Sequence, residues 1–146
     1  MSTPTDPSGF GSSPTLTDRV IIVVDDDATV RSLTAAYLRR YGATVHPAES
    51  ARDALSLIQT LHASATTVHA ILCDLRMRGG SGMELHQQVT EFLPSLAARM
   101  IFCSGDTESA DVRAFVRQHQ VKVLAKPYPL TELHRHLAEI LLLTET

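Results

Sequence analysis

Residues 20–30 read VIIVVDDDATV. Five β-branched apolar residues run straight into three aspartates. An apolar run this short, with no polar alternation, is the pattern of a strand covered on both faces in a parallel sheet. The aspartates are harder to place. Carboxylates packed side by side repel, and each resists ionising beside the others. Three of them at the end of a buried strand call for a cation.

The same kind of run recurs downstream as HAILC (69–73), RMIFC (99–103) and VKVLA (121–125), with a weaker one, ATVH, at 43–46. Helical spacing fills the intervals. Val30, Leu33, Thr34, Tyr37 and Leu38 follow the i, i+3, i+4, i+7, i+8 pattern, and Gly42 stands where a helix would end. Ala51, Ala54, Leu55, Ile58 and Leu61 make a second stripe behind Ser50, a suitable N-cap. Met83, Val89, Phe92 and Leu93 make a looser third that stops before Pro94. Val112, Phe115 and Val116 form a fourth, and Leu130, Leu133, Leu137, Ile140 and Leu141 a fifth after Pro129. Strict alternation of strand and helix predicts a doubly wound α/β fold, a parallel five-stranded sheet with helices on both faces.

At 146 residues the chain suits one domain with a real hydrophobic core. Thirteen of the residues in 1–18, MSTPTDPSGFGSSPTLTD, are Ser, Thr, Pro or Gly. That composition predicts a flexible tail or linker and leaves 19–146 as the domain. The net charge of -3 supplies no basic patch and argues against nucleic acid as a direct partner. No apolar run approaches the roughly 20 residues that span a bilayer, so membrane insertion is not expected. The N-terminus lacks the charged-then-apolar order of a secretory signal. Cys73 and Cys103 each close an apolar run, where a small buried thiol is common. Read as reduced, they suggest a cytoplasmic protein. The seven histidines show no zinc-like spacing and are expected at the surface or partly buried. Asp111, Arg113 and Arg117 read as a solvated helix face.

In an open α/β sheet, ligands bind beyond the carboxyl ends of the strands. The runs deliver Asp25, Asp26 and Asp27, then Asp74, Ser104 and Lys126, to those ends. A few hard oxygen donors suit Mg²⁺ (or Mn²⁺). Asp74 is then available as a nucleophile toward phosphorus. Lys126 and the Ser104 hydroxyl would hold oxygens of the transferred group. Asp27 differs from its neighbours: it precedes the first helix and reads as its N-cap.

These residues resemble a response-regulator receiver domain of two-component signalling. VVDDD matches an acidic pair at Asp25 and Asp26. DLRMRGGSG matches the loop D-x-x-M-P-x-x-x-G, from Asp74 to Gly82. FCSG supplies Ser104, and AKPY supplies Lys126 and Pro127. The likeness covers about residues 19–143, and the run from Ser104 to Tyr128 is similar to receivers at the C-terminus of hybrid sensor histidine kinases. The resemblance implies a flavodoxin-like (βα)5 fold with strand order 2-1-3-4-5. It also implies that Asp74 accepts a phosphoryl group from a sensor histidine kinase or a histidine phosphotransfer protein. Asp26 would bind the metal directly and Asp25 through water, with the Arg76 carbonyl completing the set. Ser104 would be the switch hydroxyl, and a dimer could form through the face of helix four, strand five and helix five. Such a domain is not an enzyme, apart from its own phosphorylation and slow autodephosphorylation.

Two positions depart from the family pattern. Arg78 replaces the usual proline and is expected to loosen the turn without touching the chemistry. Val123 replaces the aromatic that usually partners the switch hydroxyl, which questions the usual readout. Arg76 and Asp106 each lie two residues beyond a site residue, and an Arg76–Asp106 bridge is expected to gate water at the mouth. Two other readings remain. DDDATV also fits the opening D-x-D-x-T-V of haloacid-dehalogenase-like phosphatases, although that leaves Asp74 without a role. A pseudo-receiver that acts only by binding partners is the other.

Overall fold

The computed structural model describes residues 14–78 and 80–145. Each apolar run forms a strand: β1 (Val20–Val24), β2 (Thr44–Ala48), β3 (Ala70–Asp74), β4 (Met100–Ser104) and β5 (Lys122–Ala125). All neighbours pair in parallel, in the order β2-β1-β3-β4-β5. The five main helices are α1 (Ala28–Arg40), α2 (Ala51–Ala63), α3 (Gly82–Phe92), α4 (Ala110–His119) and α5 (Leu130–Glu145). A single helical turn, Pro94–Ala97, leads into β4. This is the expected flavodoxin-like arrangement.

Side chains alternate across the sheet, as the strand period of two requires. Ile22, Val24, Ile71, Cys73 and Phe102 face Ala54 and Ile58 of α2, Leu85 and Val89 of α3, and Val112 and Phe115 of α4. Ile21, Val23, Leu72, Ile101 and Leu124 face Ala35 and Leu38 of α1 and Leu133, Leu137 and Leu141 of α5. Both faces are covered, which is why the runs carry no polar alternation. Cys73 and Cys103 are free, buried thiols. Burial pushes the Cys73 thiol well up and the Cys103 thiol up to about 11, so both stay protonated. Among the described residues no helix is long and apolar enough to cross a membrane.

The N-terminal boundary differs from expectation. Residues 1–13 lie outside the described residues, but residues 14–18 pack on the domain. Leu16 is only 1% exposed and belongs to the α1–α5 core. Its N–H donates to the Tyr41 carbonyl at 2.7 Å. Gly42 has φ +101°, and a Cβ there would lie 2.6 Å from Thr17 Oγ1, so the segment presses on a position that only glycine fills. His134, expected at the surface or partly buried, is 1% exposed beneath this strap. Its Nε2–H donates to the Pro14 carbonyl at 2.6 Å, which leaves Nδ1 to accept from the Tyr37 hydroxyl at 3.1 Å. His86 and His136 are buried as well. One Leu in an otherwise polar stretch was too little apolar signal to reveal this docking.

Truncating a buried leucine typically costs about 2–5 kcal/mol. Leu16→Ala should therefore lower unfolding free energy by about 2–4 kcal/mol in urea titrations. A loss well under about 1 kcal/mol would show that the strap is not part of the cooperative unit.

Candidate functional site

Register places the acidic residues together. Val24 lies beside Cys73, and Asp74 beside Cys103, so β1 and β3 end level with each other. Asp25, Asp26 and Asp74 offer carboxylate oxygens that all lie within 4.8 Å of one another. Ser104 pairs with Ala125, which brings Lys126 to the same edge. Lys126 Nζ is 2.8 Å from Asp74 Oδ2 and 3.4 Å from Asp25 Oδ2. The Lys126 N–H donates to the Ser104 carbonyl at 2.8 Å, fixing the backbone that carries the ammonium.

The three aspartates of the opening run separate by role. Asp27 caps α1, its Oδ1 accepting from the N–H groups of Thr29 (2.9 Å) and Val30 (3.2 Å). Asp25 is 5% exposed, and its Oδ1 accepts from the Asp27 N–H at 2.9 Å. Burial pushes its carboxyl above the ordinary value. The Asp27 N–H and Lys126 oppose that, and the Asp74 charge adds to it. Asp26 moves the other way. The Arg78 N–H donates to its Oδ2 at 3.1 Å, and that bond holds its carboxyl below the usual range, against a smaller opposing push from burial. Burial also works to lower the Lys126 ammonium, but the hydrogen bond to Asp74 and the charges of Asp74 and Asp25 outweigh it.

Asp74 is 8% exposed, and its Oδ1 accepts from the Arg76 N–H at 3.3 Å. The loop behind it folds back as a short antiparallel pair, Arg76–Met77 with Gly80–Ser81. Ser81 then caps α3 in a reciprocal box with Glu84. A Cβ on Gly82 would lie 2.7 Å from the Asp74 carbonyl oxygen and 3.1 Å from Leu75 Cα. Glycine lets the start of α3 come this close to the Asp74 backbone. Ser104 is fully buried, with its Oγ accepting from the Asp106 N–H at 3.0 Å. Val123 is a half-buried member of the α2–α4 core.

Two charged partners were missed. The expected Arg76–Asp106 bridge is loose, at 3.9 Å. Arg76 Nη2 instead donates to Asp111 Oδ1 at 3.0 Å and to Ser109 Oγ at 3.1 Å. Asp111 is exposed, as a solvated helix face requires, and it also pairs with Arg76 at the mouth. An acid in the first turn of a helix is so common that its sequence position carried no hint of this. Arg78 also does more than loosen a turn: its N–H and its Nε, the latter at 3.5 Å, both approach Asp26 Oδ2.

Among the described residues, three clustered carboxylates are ion-paired with Lys126 and Arg78, and the carboxylates offer only hard oxygen donors. That chemistry fits Mg²⁺ or Mn²⁺. Asp25, Asp26 and Asp74 could hold such an ion.

The raised Asp25 carboxyl carries a pH signature. At low pH, below its ordinary value of 3.8 in the unfolded chain, Asp25 is neutral in both states and its charge is without effect. As pH rises through the raised folded value, the folded state must ionise a buried group and loses stability. In chelator, Asp25→Asn should therefore be more stable than wild type at neutral pH, and the gap should close on acidification. Urea titrations across pH check this; a gap that does not change with pH contradicts it.

A family model described as the response regulator receiver domain matches residues 21–138. The sensor kinase CckA of Brucella abortus is 28% identical over 121 residues, 83% of this chain but 12% of that protein. Probable histidine kinase 6 of Oryza sativa subsp. japonica is 37% identical over 71 residues, 49% of this chain and 7% of that protein. The chain thus spans a small fraction of these curated relatives. Among solved structures, a CheY-like receiver domain protein from Methanospirillum hungatei superposes with a TM-score of 0.76 at 23% identity, covering 87% of this chain and 96% of that one. The receiver domain of the hybrid histidine kinase CckA does so with a TM-score of 0.67 at 25% identity, covering 84% and 98%. With the sheet order, the acidic edge and a family match over most of its length in agreement, the chain belongs to the response regulator receiver domains of two-component signalling.

Proposed function

We propose that this domain accepts a phosphoryl group on Asp74 from the phosphohistidine of a sensor histidine kinase or histidine phosphotransfer protein. The observation that carries the reading is the Lys126 ammonium seated between Asp74 and Asp25, with Asp26 beside them. A carboxylate oxygen of Asp74 forms the new bond to phosphorus as the donor's P–N bond breaks, and the departing imidazole leaves with the bond's electron pair and takes up a proton. Mg²⁺, when bound, supplies positive charge to the phosphoryl oxygens. Asp26, Asp25 and the Arg76 carbonyl are the groups assigned to hold it. Lys126 offsets charge that builds on the group in transfer.

Ser104 takes the switch role by turning its hydroxyl from the Asp106 N–H toward the new phosphoryl group. Val123 offers no ring to follow that motion, so output runs through other contacts of the α4–β5–α5 face, the surface on which a dimer would form. The chain would act in the cytoplasm, where histidine kinases present their phosphohistidine. The phosphatase alternative would need Asp25 as nucleophile. Asp25 is the carboxylate whose ionised form burial disfavours, and Asp74 would then have no task.

Intact mass after incubation with acetyl phosphate and Mg²⁺ tests the reading. Wild type should gain one phosphoryl group, and both Asp74→Asn and excess chelator should abolish it. An adduct that persists in Asp74→Asn contradicts the assignment. An adduct absent from wild type as well, even with a phosphohistidine donor, would favour a pseudo-receiver.

Arg76 and Asp111 form the gate expected of Arg76 and Asp106. Hydrolysis of the aspartyl phosphate needs water in line with the bond that breaks. Arg76→Ala and Asp111→Asn should each speed dephosphorylation about two- to fivefold, as befits an exposed pair. The double variant should add little more. Multiplying effects would show that the two side chains act independently, and Asp106→Asn should have the smaller effect.

A further inference from the structure

Arg78 occupies the loop position at which the family pattern has proline. Proline would bring neither an N–H nor a charge. Here both are directed at one atom: the Arg78 N–H lies 3.1 Å from Asp26 Oδ2, and its guanidinium Nε lies 3.5 Å from the same oxygen. Asp26 is the carboxylate that the receiver reading assigns as the direct metal ligand. The geometry points to Arg78 as a tethered cation that competes with Mg²⁺ for Asp26 and lowers the divalent-ion affinity of the pocket.

This inference rests on the reading of the acidic edge as a Mg²⁺ site, and it concerns how tightly that site holds its ion. Without Arg78, Lys126 would be the one cation paired with the side chains of these three acids among the described residues. With it, a second positive charge already neutralises the most open of the three acids, since Asp26 has a side-chain exposure of 24% against 7% for Asp25 and 10% for Asp74. An incoming divalent ion must either displace the guanidinium or bind beside it against like-charge repulsion. The Arg78 side chain is 91% exposed, so its grip is weak and releasing it is easy. Competition therefore shifts affinity moderately rather than closing the site. It also fades with ionic strength, because exposed charges are screened while the buried acids keep their demand for a cation. The main-chain N–H is not displaced so readily. It ties up one oxygen of Asp26 through a bond that needs no side chain to hold it.

Calorimetric titration of the unphosphorylated full chain with MgCl₂ alone reads this directly, with no need for phosphoryl transfer. Arg78→Gln keeps the backbone N–H and much of the stem but removes the charge. It should bind Mg²⁺ about two- to fivefold more tightly than wild type at low salt. Arg78→Lys should stay near wild type. The advantage of Arg78→Gln should shrink as NaCl is raised toward roughly 0.5 M. Arg78→Pro, which also removes the N–H, separates the main-chain contribution from that of the charge. Equal or weaker binding by Arg78→Gln would overturn the competition and make the guanidinium a support for the Asp26 pose. Asp26→Asn keeps the two failures apart. If it weakens binding while Arg78→Gln leaves it unchanged, the metal site stands and the competition falls. If Asp26→Asn binds like wild type, the ion sits elsewhere and both fall.

Discussion

The Lys126 ammonium, 2.8 Å from Asp74 and 3.4 Å from Asp25, is the contact on which the site depends. Two carboxylates set this close repel each other, and a cation between them relieves that repulsion. Lys126 provides it from the far side of β4, and its own charge is stabilised in return. Such a partly buried cluster is poor evidence for stability, because desolvation offsets much of the attraction. It is better understood as a concentration of charge held ready for a ligand that supplies more positive charge, at a cost to the fold that the raised Asp25 carboxyl makes visible.

That concentration is possible because the sheet is rigid where the charges sit. β1 and β3 are buried on both faces and end in register, so Asp25 and Asp74 have little freedom to move apart. The close approach of Gly82 to the Asp74 carbonyl holds the loop from the opposite side. Asp27 contributes indirectly. By capping α1 it anchors the chain just after Asp26, and its N–H orients the Asp25 carboxylate. One residue of the acidic run thus builds the helix that steadies the other two.

The rim of the pocket is where this chain is individual. Arg76 reaches outward to Ser109 and Asp111 at the start of α4, while Arg78 reaches back to Asp26. Ser109, the N-cap of α4, makes no side-chain cap bond and lends its hydroxyl to Arg76 and Asp111 instead. The first turn of α4 is therefore tied to the loop that follows the candidate acceptor. With Val123 in place of an aromatic, this polar tie is a direct physical link between Asp74 and α4.

Local pattern alone sets the alternation of strands and helices and the acidic strand ends. It also marked out Lys126 and the cap at Asp27, because these follow from local periodicity and from residues at fixed offsets within one element. Register then carried those strand ends to one edge with no further information. The remaining features depended on tertiary structure, because they join residues that no period connects. Leu16 docks beside Tyr41 through the path of a chain whose composition reads as a linker. Asp111 meets Arg76, 35 residues away, because α4 begins beside the β3–α3 loop, and this geometry places Asp111 nearer than Asp106. Arg78 finds Asp26 across 52 residues because the tight turn before α3 swings it back over the end of β1. Long, exposed side chains have many partners open to them in a sequence, and only the three-dimensional course of the loops selects one.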